Sequence, residues 1–295
     1  MSKIKLTLVV IATFLAMTAS ARSKMRKYTY DGMLRKGFYM GVSGSFNNSW
    51  ILNQNNYNTL DLFYVPIVRQ SEMNYVFTPG GNVGANFGYN FKNKWGVEFE
   101  PSFSWGGQIY DDAFSGPVAA VYDKPTRTFK PDYVNVPNAD FYFRDDYSYV
   151  NVRRVIKFNY INFPIYAKFQ THIGDVANFY LMLGPQFNYR TFASEYVEVN
   201  HHEWDGLNGD RIPADQKFQK VDVGLSLKPG VDVYAKDWMY FSLGLNTYIG
   251  LTDLNGSALK DLGWFSKNDV DYQKSRNFYL GLQLGMHFFL TPKPY

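Results

Sequence analysis

The chain of 295 residues has no cysteine, which excludes a disulfide framework, a thiolate metal site and a cysteine nucleophile. Its charge is almost balanced, with 30 basic and 26 acidic residues spread along the chain, so it lacks the basic footprint of a nucleic-acid-binding protein. Mean hydropathy is only -0.30, yet 19% of the residues are aromatic. So many aromatic rings in so polar a chain require a location other than an ordinary core.

The first 21 residues have the pattern of a secretory signal peptide. Lys3 and Lys5 precede an uncharged, mostly apolar run over 6–21, and Ala19-Ser20-Ala21 fits the A-x-A cleavage pattern. The run is shorter than the roughly 18–20 residues of a membrane span, which favours cleavage over an uncleaved anchor. No later run is long enough for a transmembrane helix. We therefore expect export, with 22–36 as a periplasmic N-terminal segment.

Apolar and polar residues then alternate strictly in eight segments, the pattern of strands with two unlike faces. In 160–170, for example, Ile161, Phe163 and Ile165 lie on one face, and Tyr166 and Lys168 lie on the other. Similar runs cover 37–47, 80–91, 94–106, 177–190, 220–234, 238–250 and 277–290.

The connections between these segments are alternately short and long. The short ones lie near 90–94, 171–175 and 235–237, and the long ones cover 48–79, 107–156, 191–219 and 251–276. Outer-membrane barrels have short periplasmic turns and long extracellular loops. The sequence therefore predicts an all-β fold: an eight-stranded antiparallel up-and-down transmembrane β-barrel over 37–290. Both termini would lie in the periplasm, with 291–295 as a tail.

Two features decide which face of the strands points outward. The polar face is rich in glycine, which suits a crowded interior better than a solvated surface. The apolar face has aromatic residues near both strand ends, as membrane girdles do. The predicted lipid-facing girdle comprises Trp95, Trp105, Phe169, Phe179, Tyr189 and Phe288. The alternative is a soluble periplasmic barrel of lipocalin type that binds a lipid or a small molecule inside an apolar interior.

The polar face carries charges that would meet inside the barrel. They are Glu98, Glu100, Lys168, Arg190, Asp222, Lys228 and Asp232. An eight-stranded barrel is just wide enough for its side chains to fill it, and buried charges must be paired. We expect a structural ion-pair network here, with a small proton or ion path as the alternative. A general diffusion pore would need many more strands.

One segment, His201-His202-Glu203-Trp204-Asp205, is dense in residues that can bind metals. Adjacent histidines do not easily reach one ion, and no third spaced ligand is evident, so we expect a solvated loop without a metal or cofactor. The alternative is adventitious binding of Zn²⁺ or Ni²⁺. A membrane-embedded hydrolase would need serine, histidine and a carboxylate at the outer rim. Only His201 and His202, with loop carboxylates such as Asp145, Asp146, Asp205 and Asp210, could supply it. We predict no catalytic residue.

The long connection over 110–156 is rich in tyrosine, aspartate and arginine. Tyrosine and arginine supply contact area and directional hydrogen bonds at protein interfaces. This loop therefore either caps the barrel mouth or binds a protein or glycan partner.

Two strands resemble those of a known family. The segment Tyr160–Phe169, with Pro164 in its centre, is similar to the "YLxxPLLxKY" strand of the PorT-like "porin family" outer-membrane barrels of Bacteroidetes-type bacteria. Phe179–Phe187, with Gly184-Pro185, is similar to the "YxxxGPxxxY" strand of the same family, and Gly250-Leu251-Thr252-Asp253 resembles its end region. The resemblance implies an outer-membrane barrel without assigned activity. It also implies an accessory role in type IX-like protein secretion, as for the founding members. We therefore expect a non-enzymatic envelope protein with a structural or surface-interaction role.

Overall fold

The computed structural model describes most of the barrel and parts of its connections. The described residues are 36–53, 74–91, 94–115, 120–123, 128–131, 149–173, 177–199, 202–203, 214–236, 238–256 and 274–290. The segments predicted as signal peptide and C-terminal tail, and all but residue 36 of the predicted N-terminal segment, lie outside these ranges.

Thirteen strands and one short helix make up the described fold. The strands are β1 (Gly37–Leu52), β2 (Asn74–Val76), β3 (Pro79–Asn90), β4 (Trp95–Phe99), β5 (Ser102–Ser115), β6 (Ala120–Asp123), β7 (Thr128–Pro131), β8 (Tyr149–Ile173), β9 (Ala177–Val199), β10 (His202–Glu203), β11 (Val221–Lys236), β12 (Met239–Gly250) and β13 (Arg276–Phe289). The helix α1 spans Ala214–Lys217. No helix within the described ranges is long and apolar enough to cross a membrane.

Nine of these strands form a closed antiparallel ring with eight places, because β4 and β5 share one place. The order around it is β1, β3, β4 with β5, β8, β9, β11, β12 and β13. The first and last strands pair along their whole length, from Tyr39 opposite Phe289 to Leu52 opposite Arg276. Because each strand pairs with its sequence neighbours and the ends meet, the sheet has no free edge within the barrel wall. The predicted eight-stranded up-and-down barrel is confirmed.

β4 and β5 act as one wall strand that is interrupted at Glu100 and Pro101. The backbone bonds continue through the interruption, since Ala85 N–H donates to the Pro101 carbonyl and Glu100 N–H donates to the Pro164 carbonyl, at 3.0 and 3.3 Å. The nitrogen of a proline donates no hydrogen bond. Proline is therefore tolerated where the regular ladder of backbone hydrogen bonds is already broken. The alternation of inward and outward side chains continues through the break, so Glu100 is buried in the lumen like Glu98 and Ser102.

Four strands are longer than the alternation predicts. β1 continues to Leu52, β5 continues to Ser115, β8 begins at Tyr149, and β9 continues to Val199, so parts of the predicted loops over 48–79, 107–156 and 191–219 are paired strand. At about 3.3 Å per residue and a tilt of about 40°, the 25 residues of β8 reach roughly 60 Å along the barrel axis. That is more than twice the apolar band of about 25 Å, so these strands project beyond the membrane at the long-connection end.

The two faces of the wall meet different surroundings. The outward face of β8 exposes Ile161, Phe163 and Ile165, whereas Tyr166 and Lys168 on the inward face are buried. All six predicted girdle residues, Trp95, Trp105, Phe169, Phe179, Tyr189 and Phe288, lie on the outward face, half-buried or exposed. An apolar outer surface and a polar interior invert the pattern of a soluble barrel. The alternative of a soluble ligand-binding barrel is therefore wrong.

Candidate functional site

The barrel lumen near the short turns contains one buried ion pair inside a group of aromatic rings. Lys168 Nζ lies 3.1 Å from Asp232 Oδ2, and both side chains are 1% exposed. The ammonium also lies 5.0 to 5.4 Å from the ring centroids of Tyr39, Tyr180 and Tyr240. Cation–π contacts of this kind are stronger when the cation is desolvated. The rings therefore take the place of hydration around a buried lysine.

Glu98 lies in the same part of the lumen without a direct ion pair. Its Oε2 accepts a hydrogen bond of 2.6 Å from the Tyr39 hydroxyl, and its Oε1 accepts one of 2.9 Å from the Asn86 amide. Hydrogen bonds to an ionised carboxylate are about twice as strong as neutral ones. Glu98 thus connects β4 to β1 and β3 across the interior.

A second buried ion pair lies one layer further from the short turns. Lys228 Nζ lies 2.6 Å from Glu100 Oε2, and both side chains are 1% exposed. The other carboxylate oxygen accepts hydrogen bonds from the Ser43 hydroxyl at 3.0 Å and the Gln283 amide at 2.9 Å. The Tyr166 ring covers the ammonium, at 5.0 Å from its centroid. This layer joins β1, β8, β11 and β13 to the interruption between β4 and β5 through side chains alone.

On the long-connection side of the second ion pair is a small cavity of about 40 Å³. Its lining includes the polar residues Asn47 and Asn162, but most of the lining is apolar, with Trp105 and Phe158 among the residues that supply it. The Asn47 Oδ1 atom is buried and has no hydrogen-bond partner among the described residues.

The remaining two predicted lumen charges lie beyond the cavity and do not pair with each other. Asp222 accepts hydrogen bonds of 2.8 Å from the Thr252 hydroxyl and the Asn277 amide. Arg190 donates to three backbone carbonyls, those of Asp215, Phe218 and Gln219, at 2.8 to 3.0 Å. Arg190 therefore holds the chain around α1 in the barrel mouth.

A third ionic cluster closes the mouth and was not predicted from the sequence. Glu195 lies between Arg154 and Lys217, with ion-pair distances of 2.5 Å to each. Burial alone would raise the pKa of Glu195, but these two cations outweigh it and lower the pKa to about 2. Next to the cluster, the rings of Phe158 and Phe218 meet edge to face at 4.9 Å. The sequence analysis treated as loops the segments that contain Arg154, Glu195 and Lys217, which lie on the projecting parts of β8 and β9 and in α1.

Taken layer by layer, the structure brings together four of the seven predicted charges as two ion pairs, Lys168 with Asp232 and Lys228 with Glu100. Glu98 and Asp222 bind polar side chains instead, and Arg190 binds backbone. All seven are buried. Charged and aromatic side chains fill the lumen between the short turns and the cavity, and the chain around α1 covers its other end.

A serine and a histidine are also adjacent in the lumen. Ser242 Oγ lies 2.9 Å from His287 Nε2, and the imidazole stacks on Tyr240. In a catalytic site with a serine nucleophile and a histidine base, a third group orients the histidine. The other ring nitrogen, Nδ1, has no hydrogen-bond partner in the part of the chain that the structure describes, and both side chains are buried away from the cavity. The pair is therefore not arranged as a catalytic site.

The histidine cluster of the sequence cannot be placed in the same way. His201, Trp204 and Asp205 lie outside the described residues, as do Asp145, Asp146 and Asp210, and only the backbone of His202 and Glu203 is described. Among the described residues, no group of three or more histidines and carboxylates is arranged to hold a metal ion.

A closed antiparallel ring with an apolar outer wall and a charged, filled lumen defines an integral membrane β-barrel of the bacterial outer membrane. The chain belongs to the family of the outer membrane protein beta-barrel domain, whose profile matches residues 20–256. The protein is thus located in the cell outer membrane. No curated protein matches the chain in sequence.

Several solved structures are similar to this chain over most of their length, at low sequence identity. Neisserial surface protein A is 10% identical, with 86% of this chain and 97% of that chain covered and a TM-score of 0.39. The outer membrane protein OprG of Pseudomonas aeruginosa is 10% identical, with 86% and 98% covered and a TM-score of 0.34. Ail, the attachment invasion locus protein of Yersinia pestis, is 10% identical, with 85% and 99% covered and a TM-score of 0.31.

Proposed function

We propose that this protein is a non-enzymatic envelope protein whose barrel serves as a rigid anchor and whose long connections act at the cell surface. The observation that carries the proposal is the filled lumen. Two buried ion pairs and the chain around α1 occupy successive layers of the interior. A conducting pore needs a continuous aqueous path, whereas a filled interior suits an anchor. The outward aromatic rings then lie at the two membrane interfaces.

The long connections are the natural site of any recognition. They join the end of the barrel from which β5, β8 and β9 project, opposite the short turns. The connection over 110–156 supplies tyrosine and arginine, which are enriched at interfaces. A protein or glycan partner at the cell surface fits these properties.

We further propose that the protein is PorT-like, of Bacteroidetes type, and serves as an accessory of protein secretion. Support comes from the two strand motifs that carry the resemblance. They lie side by side in the barrel, with Pro164 opposite Gln186. A Cβ at Gly184 would collide with the Ile165 carbonyl of the neighbouring motif. The glycine of one motif thus allows the close approach of the other.

The proposal is tested by deletion and complementation in the source bacterium. The deletion strain receives either the full chain or a variant in which residues 132–148 are replaced by a short glycine-serine linker. Detergent resistance of the envelope and the set of secreted proteins are measured in each strain. A gel shift between unboiled and boiled samples verifies that both barrels are closed.

Each outcome points to one role. If the deletion weakens detergent resistance and both chains restore it, the barrel acts as an envelope anchor. If only the full chain restores it, the long connection carries the function through a surface partner. Loss of secreted proteins on deletion would support the secretion role. A deletion strain without any change in resistance or secretion would contradict the proposal.

A further inference from the structure

The buried pair of Lys168 and Asp232 places an amine directly against a carboxyl group. Lys168 Nζ lies 3.1 Å from Asp232 Oδ2, and both side chains are 1% exposed. The other carboxyl oxygen, Oδ1, is buried and has no hydrogen-bond partner among the described residues. The amine is therefore close to the carboxyl carbon, and reacting atoms need to approach within about 3 to 3.5 Å before a bond forms.

The surroundings of the pair make its two charges costly. The rings of Tyr39, Tyr180 and Tyr240 surround the ammonium at 5.0 to 5.4 Å from their centroids. A buried ion pair carries a desolvation penalty that the attraction between the ions offsets only in part. A neutral amide in the same place would not carry this penalty, and a site without bulk water disfavours the reverse hydrolysis.

A second carboxyl group lies beside the pair. In the register of β4 and β8, Lys168 is opposite Gly96, so Glu98 is its diagonal neighbour on the inward face. Diagonal neighbours in a sheet are within reach of long side chains. The Tyr39 ring that covers Lys168 also donates its hydroxyl proton to Glu98 Oε2, at 2.6 Å. Among the described residues Glu98 has no cation within ion-pair distance, so it is available to take up and return a proton.

We propose that Lys168 and Asp232 join in an isopeptide bond after the barrel has folded. The lysine nitrogen forms a bond to the carboxyl carbon of Asp232, and one carbon–oxygen bond of that group breaks. Two of the three ammonium protons leave with this oxygen as water, so the charges cancel and no oxidant or reductant is needed. Glu98 carries a proton from the nitrogen to the leaving oxygen. The ion pair is the reactant, and a freshly folded chain still contains it.

The bond would connect β8 and β11 across the lumen. Its two residues are 64 positions apart in the chain, and β9 lies between their strands. A covalent link of this kind stabilises a protein chiefly because it restricts the unfolded chain. The inference goes beyond the proposed surface role and does not depend on it.

The second buried pair provides an internal control. Lys228 Nζ lies 2.6 Å from Glu100 Oε2, and these side chains are also 1% exposed. In contrast to Asp232, the other oxygen of Glu100 accepts hydrogen bonds from Ser43 and Gln283. These bonds stabilise the ionised carboxylate, which an amine does not attack. We therefore expect no bond between Lys228 and Glu100.

Peptide mapping by mass spectrometry of the full chain from outer membranes tests the proposal. The expected product is a linked pair of peptides, one with Lys168 and one with Asp232, lighter than their sum by one water molecule. The peptides with Lys228 and Glu100 should remain separate in the same digest. Lys168→Arg keeps the positive charge and should leave the Asp232 peptide unlinked, while the heat-dependent gel shift verifies that its barrel is closed.

The role of Glu98 is tested by the rate of link formation after refolding from denaturant into detergent. We expect Glu98→Gln to slow the reaction about 100-fold, because it cannot carry the proton, and Glu98→Asp to restore part of the rate. Equal rates in the Glu98→Gln variant and the unmodified protein would overturn this role.

Three results would overturn the bond itself. The first is a folded, unmodified barrel in which the Lys168 and Asp232 peptides stay separate after prolonged incubation. The second is an equal yield of the linked pair in chains that have never folded. The third is an equal yield of a link between Lys228 and Glu100, because any buried pair would then react.

Discussion

Lys168 and Asp232 form an ion pair although their strands are not neighbours in the wall. β9 lies between β8 and β11, so the pair bridges the lumen and does not follow the backbone ladder. With both groups almost fully desolvated, each depends on the other for charge compensation. The pair therefore fixes the distance between two parts of the wall that the strand hydrogen bonds do not join directly.

Removing one partner of the Lys168–Asp232 pair should lower the free energy of unfolding far more than removing both. We expect Lys168→Met to lower the free energy of unfolding by about 3 to 5 kcal/mol, because Asp232 would remain as an uncompensated buried charge. Lys168→Met combined with Asp232→Leu should recover at least half of that loss. Reversible denaturant unfolding in lipid vesicles measures both. Equal losses in the single and double variants would show that the pair is not energetically coupled.

The position of the membrane along the barrel can be tested by introducing the same charged residue at two different heights on β8. Ile165 lies in the middle of the outward apolar band, whereas Asn159 lies at its edge. We expect Ile165→Arg to cost about 2 to 4 kcal/mol of folding free energy in vesicles and Asn159→Arg only about 0 to 1. The same denaturant titration compares them. A larger cost at Asn159 would mean that the band has been placed at the wrong height.

Gly88 lies so close to the Tyr39 ring inside the barrel that no larger residue fits at this position. A Cβ at this position would overlap the Tyr39 ring, whose hydroxyl donates to Glu98. We expect Gly88→Ala to destabilise the barrel by about 1 to 3 kcal/mol, since overpacking forces the ring to move. Gly44→Ala is the control, because its Cβ would lie 3.6 Å from the nearest atom, the Asn82 carbonyl oxygen. Similar unfolding midpoints for the two variants would contradict this reason for the glycine.

The closure of the mouth should depend on pH through Glu195. Its pKa in the folded protein is about 2, below the ordinary 4.5, so its contribution is complete above about pH 4.5 and is lost as the pH falls towards 2. We expect Glu195→Gln to unfold more easily than the unmodified protein at neutral pH, with the difference shrinking across that acidic range. Thermal unfolding in detergent at a series of pH values measures it.

The exposed Asp111 provides the control for this experiment. It carries the same charge but is about half exposed in its contact with Arg153. Asp111→Asn should change stability little at any of these pH values. A stability difference for Glu195→Gln that persists unchanged at the lowest pH would argue against a charged role for Glu195.

The fold was predictable because the membrane imposes one rule on every strand. Hydrocarbon outside and polar groups inside produce the alternation seen at Ile161, Phe163 and Ile165 against Tyr166 and Lys168. The projecting part of β8 follows the opposite rule, with Ile156 buried inside and Arg153 exposed outside. The alternation typical of lipid-facing strands therefore ends where the strand leaves the membrane and enters water. For this reason the sequence analysis predicted a loop for these residues.

The pairing of the lumen charges was not predictable for a different reason. The alternation of side chains along a strand shows which residues point inward. It does not show their height along the barrel axis relative to residues on distant strands. That height depends on the stagger between strands, which the register of the folded sheet determines. Lys228 meets Glu100 because the stagger between their strands places both side chains at the same height in the lumen. Arg190 was correctly placed inside, but its backbone partners lie in a connection whose path no sequence pattern specifies.

The seam between β1 and β13 also sets the order in which the protein can be assembled. Among the barrel strands β1 is synthesised first and its partner β13 last, so Tyr39 cannot meet Phe289 until all the other barrel strands have been delivered. Until then two ladders of backbone groups lack partners, which hydrocarbon does not tolerate. The cell must therefore shield an almost complete chain before insertion, and a product truncated before Arg276 would leave the ring open in the membrane.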